Sequence, residues 1–221
     1  LNVHKGESLA DVVAALEGPV SEVRRLVSPE KPYAVGLRLS RAAATELLSR
    51  GNLSAFKARL EKLGLDAAHL NGFPYGAFHG TRVKDDVYHP DWTTRERLDY
   101  TLDLAYILAR LLPEGRSGTI STAPVGYAAD KPGKPLLAEA ETGLAALEEA
   151  TGRRIVLAFE PEPDCVAEDA DSLIAAVKPA RHTDVCLDTC HCGVTGEDPL
   201  TAFKKYRAAG FEVARVQISA A

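Results

Sequence analysis

The chain of 221 residues contains no methionine at all. It therefore has no initiator, and we expect it to be part of a longer protein. Leu1-Asn2-Val3-His4 reads as the tail of a strand, and Ser219-Ala220-Ala221 stops directly after one. Leu1 opens no signal-peptide pattern, and no apolar run is long enough to span a bilayer, so membrane insertion is not expected. Basic charge is not in excess: 26 Lys and Arg against 31 Asp and Glu leave a net charge of -5, which argues against a nucleic-acid partner. The four cysteines, Cys165, Cys186, Cys190 and Cys192, are poorly spread for a disulfide framework, with three of them crowded near Asp188. A reducing, cytoplasmic setting is expected. The spacing C-x3-C-x-C matches no common four-ligand zinc pattern. The sequence also lacks a G-x-G-x-x-G turn, a P-loop, a G-x-S-x-G elbow and any fixed-period repeat. What remains is 46% hydrophobic and 26% charged, the composition of a globular protein with a substantial core.

Strand-like and helix-like patterns alternate along the chain. Strands are predicted at residues 1–4, 33–39, 65–71, 117–122, 154–160, 184–188 and 213–219. Helices are predicted from Ser8 to Leu16, with Asp11 completing a capping box, and over 41–50, 53–63, 93–112, 136–150, 169–177 and 199–209. Repeated βα units imply a parallel sheet. Polar residues close many of the strands instead of gathering at one switch point, which favours a closed TIM (β/α)8-type barrel over an open doubly wound sheet. Seven strands are visible where eight are needed, so residues 1–221 are expected to form a single barrel domain, incomplete at the termini.

Three apolar strands deliver polar groups. Ile155-Val156-Leu157-Ala158-Phe159 ends in Glu160-Pro161-Glu162, Val185-Cys186-Leu187 ends in Asp188 with His191 three residues on, and Gln217 sits within Val213–Ser219. Burying such groups is costly unless each finds a partner. Their convergence predicts a metal site at the barrel mouth, with Glu160 and Asp188 as ligands of a divalent ion (Mn, Mg, Zn or Co). The Gln217 carbonyl oxygen either joins them or bonds a neighbouring strand. His191 either ligates or grips substrate. Glu162, so close to Glu160, is a candidate general base. The segment 71–92, opening with Asn71-Gly72-Phe73-Pro74-Tyr75-Gly76, is long for a loop and is expected to cover the mouth. Asn71, Tyr75 and His79 are therefore candidate substrate-binding residues, and His4 and Arg38, at strand ends, are expected to line the pocket. His69, His182 and His89 read as structural.

With these residues the chain resembles the xylose-isomerase-like TIM barrels, a superfamily of sugar isomerases, epimerases and endonuclease IV-type nucleases. The resemblance implies a metal held by a Glu on strand five, an Asp on strand six, a His on strand seven and a Glu on strand eight. Glu160 matches the first and Asp188 the second. Gln217 stands where the histidine is expected, and the fourth position lies beyond Ala221. His191 matches a histidine that grips substrate in the epimerases and binds zinc in the nuclease. A closer resemblance, carried by residues 71–80, Val87-Tyr88-His89-Pro90-Asp91-Trp92, Leu111-Leu112-Pro113-Glu114-Gly115, Glu160-Pro161-Glu162-Pro163, Cys186–His191 and Val216–Ala220, is to the EboE family, TIM-barrel members of the Ebo metabolite-traffic cluster.

The expected function is a divalent-metal-dependent isomerase or epimerase of a small polyhydroxylated metabolite, sugar- or cyclitol-like, in secondary-metabolite processing or traffic. A homo-oligomer is compatible with this. Two alternatives stay open: an endonuclease IV-like metal phosphodiesterase, which would need a basic groove, and a non-catalytic metabolite-binding protein, which the glutamine at position 217 permits.

Overall fold

The computed structural model describes residues 6–76 and 86–220. His4 and His79, and the strand expected at residues 1–4, lie outside them. Six strands form one all-parallel sheet in sequential order: β1 (Tyr33–Arg38), β2 (Leu65–Asn71), β3 (Gly118–Thr122), β4 (Ile155–Phe159), β5 (Thr183–Asp188) and β6 (Val213–Gln217). Each is the counterpart of a predicted strand. The sheet curls: the Arg215 guanidinium of β6 reaches the Ser121 hydroxyl of β3 at 3.4 Å and lies 3.9 Å from where a Cβ on Gly36 of β1 would be. Six parallel strands arranged this way form an arc of a TIM-type barrel, with helices on the convex side.

The helices are α1 (Leu9–Ala15), α2 (Ser21–Val27), α3 (Arg41–Leu48), α4 (Asn52–Lys62), α5 (Arg95–Leu111), α6 (Leu137–Thr151), α7 (Ala170–Ala176), α8 (Thr189–Thr195) and α9 (Pro199–Ala208). Ser8 caps α1 through the expected box with Asp11. Two helices were not expected. Gly18-Pro19 reads as a stop, yet the chain passes through a π-helical turn, kinked at Gly18, and continues as α2. There Pro19 falls just before a new helix, where its missing N–H costs little. The second, α8, is built from Thr, Cys, His, Gly and Val, which are poor helix formers. It exists because the Asp188 side chain accepts from the Cys190 N–H and Gly196 ends it in the left-handed region at φ 75°.

Alternation along the strands divides the sheet into two faces. Leu37, Leu70, Ile120, Leu157, Phe159, Val185 and Leu187 join the main apolar core under the helices. The residues between them, including His69, Ser121, Ala158, Cys186 and Arg215, face the concave interior.

Candidate functional site

Because all strands run the same way, their C-terminal ends share one rim. Arg38 pairs in register with Asn71, Asn71 with Ser121, Thr122 with Phe159, and Asp188 with Gln217. The strand-end residues picked out from the sequence therefore open on one side, as barrel sites require.

Glu160 leaves β4 with its N–H donating to the Thr122 carbonyl at 3.1 Å. The residue is buried, at 7% exposure. Gln217 donates from Nε2 to Glu160 Oε1 at 2.5 Å, while the Gln217 oxygen accepts from Arg215 at 3.4 Å. Asp188 caps α8 and also accepts from the Ser219 hydroxyl at 2.5 Å. His191, in the first turn of α8, bonds the Pro161 carbonyl through Nδ1 at 2.8 Å. A carbonyl only accepts, so Nδ1 carries a proton, and in the neutral ring the lone pair belongs to Nε2. That nitrogen lies 3.9 Å from Glu162 Oε1. One donor atom each from Glu160, Asp188 and His191 fall within 4.8 Å of one another. Two carboxylates and an imidazole are a fitting set for a divalent ion, and a ring N–H anchored on a backbone carbonyl is the usual support for such a histidine.

Burial dominates the electrostatics of the two glutamates. Burial raises the Glu160 carboxyl above its ordinary value; His191 opposes this, Asp188 adds to it, and Arg215 and Gln217 oppose it. Burial lifts Glu162 to about 7, with Glu160 and Asp188 adding to the shift and His191 and a hydrogen bond from Tyr88 opposing it. Tyr88 is itself held by stacking on Tyr127, with centroids 5.4 Å apart, and by an edge contact to Phe73 at 5.6 Å. Inside the arc, burial and then Arg215 lower the His69 pKa, and its Nδ1 pairs with the Thr119 hydroxyl at 2.5 Å.

The structure thus gathers Glu160, Glu162, Asp188, His191 and Gln217. Three other candidates have local partners. Asn71 accepts from the Phe73 N–H at 3.0 Å, shaping its own turn. Tyr75 packs edge-on against Tyr100 at 5.1 Å. Arg38, 1% exposed, forms an ion pair with Glu7 at 2.8 Å. His182 bonds the Ile155 carbonyl at 2.7 Å, in keeping with a structural role. The four cysteines are free thiols.

Three further residues have roles that were not assigned from the sequence. Arg215 had a signal: it sits two residues before Gln217 and so shares its face. Tyr88 and Arg97 gave none, because their partners are distant in the chain. Arg97 is buried on α5 and donates to the carbonyls of Gly72 at 2.8 Å and Pro90 at 2.7 Å, tying together two points near the ends of the long loop.

No protein-family model and no curated protein matches the chain. Among solved structures it is similar to the probable 3-DHS dehydratase AsbF, involved in petrobactin synthesis, from Bacillus anthracis, at 14% identity and a TM-score of 0.46 over 79% of this chain. It is similar to 3-keto-D-glucoside 4-epimerase, YcjR, from E. coli at 16% identity and a TM-score of 0.47 over 82% of this chain and 67% of that one. It is also similar to the IolI protein solved with a bound zinc atom, at 16% identity and a TM-score of 0.46 over 78% of this chain. The chain spans 60% of the length of AsbF and of IolI. Among the described residues, no helix is long and apolar enough to cross a membrane.

Proposed function

We propose that this chain acts as a divalent-metal-dependent isomerase or epimerase on a small polyhydroxylated metabolite, and that it is EboE-like. The observation that carries the reading is the convergence of Glu160, Asp188 and His191 within 4.8 Å at the rim of the arc. The EboE motifs named above support the finer assignment, and the zinc bound by IolI supports a metal of that kind. Glu160 and Asp188 would hold the ion. When bound, it would polarise a substrate carbonyl and the neighbouring hydroxyl.

The remaining work falls to side chains. Glu162, poised near neutrality, takes the proton from the hydroxyl-bearing carbon beside the carbonyl and returns it on the same face to the carbonyl carbon, while the hydroxyl proton passes to the former carbonyl oxygen. Tyr88 fixes the Glu162 carboxyl by its hydrogen bond. His191 offers Nε2 to a substrate hydroxyl. Gln217 orients Glu160.

Elemental analysis of purified protein and of Asp188→Ala tests the site: the variant is expected to lose most bound metal, and unchanged content would refute the assignment. Turnover is read separately, as metal-dependent entry of solvent deuterium into ketose or aldose candidates. The Gln217–Glu160 hydrogen bond, which quiets the carboxylate without any ion, favours one second reading, a metabolite-binding protein that has lost turnover. Sugar binding with no deuterium entry would select it.

A further inference from the structure

A separate groove of about 540 Å3 lies in the helix layer, away from the rim. It is enclosed by the end of α3, the start of α4 and the last turns of α5 and α6. Since β3 and β4 begin just after α5 and α6, the groove belongs to the opposite end of the arc from Glu160 and Asp188. Its volume is that of an ordinary small-molecule site.

The charge around it is one-sided. Arg50, Lys57, Arg110 and Arg153 line it, and no Asp or Glu does, on a chain whose net charge is -5. Arg153 donates to the Pro113 carbonyl at 3.0 Å. Arg50, Lys57 and Arg110 form no ion pair among the described residues. Elsewhere on this surface the basic residues are commonly paired, as Arg25 is with Glu22, Arg181 with Glu148 and Lys205 with Asp171. A concave cluster of unpaired cations focuses positive potential and draws anions. The floor is different: Leu53, Ala109 and Leu112 are apolar, and Tyr106 presents its ring at 44% exposure. A guanidinium pair suits a phosphate by fork geometry, and a tyrosine face suits a flat apolar body.

We propose that this groove is a binding site for a phosphorylated small molecule, with the phosphate on Arg50, Lys57 and Arg110 and an apolar or aromatic body against Tyr106. The site is independent of the metal-binding rim.

The test is calorimetric titration of phenyl phosphate into the protein at low ionic strength, with chelator present so that no metal occupies the rim. Wild type is expected to bind. Arg50→Ala/Arg110→Ala should weaken binding by about tenfold or more, since two charge-assisted contacts are lost. Tyr106→Ala should weaken phenyl phosphate while leaving inorganic phosphate unchanged, and Asp188→Ala should titrate as wild type. Circular dichroism confirms that each variant is folded; all four positions are exposed or half-buried, so folding is expected to survive. Absence of binding, equal affinity in the double variant, or loss of binding in Asp188→Ala overturns the proposal. So does tighter binding of a single-stranded oligonucleotide than of phenyl phosphate, which would make the groove a nucleic-acid contact.

Discussion

On β3, β4 and β5 the residues facing the helices are Ile120, Leu157, Phe159, Val185 and Leu187, all in the main apolar core. The residues facing inward on the same strands are Thr119, Ser121, Val156, Ala158, Asp184, Cys186 and Asp188. Each large apolar side chain on the outer face contributes about 1.5–3 kcal/mol by leaving water. Apart from Val156, the inner residues are small or polar and contribute little of this kind. Stability therefore resides in the convex face, and the concave face is free to hold groups such as Glu160 and Arg215 that are awkward to bury. Arg215 is tolerated there because Ser121 is small and its hydroxyl accepts from the guanidinium at 3.4 Å.

The contrast can be broken most directly by truncation on each side. Leu157→Ala should cost about 3 kcal/mol in chemical denaturation, by lost transfer energy and a residual cavity. Ser121→Ala, one strand over and facing inward, should cost about 1 kcal/mol or less. Equal losses would mean that the interior is also a packed core.

A second measurement sharpens what the interior does. Arg215→Met is expected to leave the fold intact and to raise divalent-metal affinity by roughly fivefold at pH 7, read by competition with an indicator dye. The guanidinium favours ionised Glu160, but it repels a doubly charged ion there more strongly than the single proton that the ion displaces. Arg215→Lys should keep most of the wild-type affinity. Metal affinity unaffected by either change would show Arg215 to be a bystander.

The smallest effect concerns pH. Glu162 in the folded chain holds its proton to about pH 7, whereas an unfolded glutamate releases it near 4.5. Between those values the folded state binds more protons, so stability falls as pH rises through the window. In metal-free protein Glu162→Gln should flatten this slope, by on the order of 1 kcal/mol after allowance for solvent screening. A steeper slope in the variant would reverse the assignment.

Much of this was legible beforehand, for identifiable reasons. Parallel strands buried between helices and an interior read as apolar runs, and their last residues stand out as polar interruptions; Glu160, Asp188 and Gln217 were visible on that ground. The short α8 was not, since its sequence disfavours helix and only its two ends hold it. Nor was α2, whose Val23, Leu26 and Val27 are exposed, so that no buried face signalled a helix. Local side-chain partners are not legible in sequence either: the Asn71 side-chain carbonyl accepts from the Phe73 N–H in its own turn. A short polar side chain after a strand suits its own turn and a substrate equally well in sequence.

The double grip of Arg97 on Gly72 and Pro90 has an evolutionary side. It turns a chain excursion into a ring closed at its base, so the positions of β2 and α5 no longer depend on what lies between. Residues can be inserted or deleted within such a ring at a closure cost that grows only with the logarithm of its length. The length between Gly72 and Pro90 can thus change without moving β2 or α5, provided that the arginine is kept.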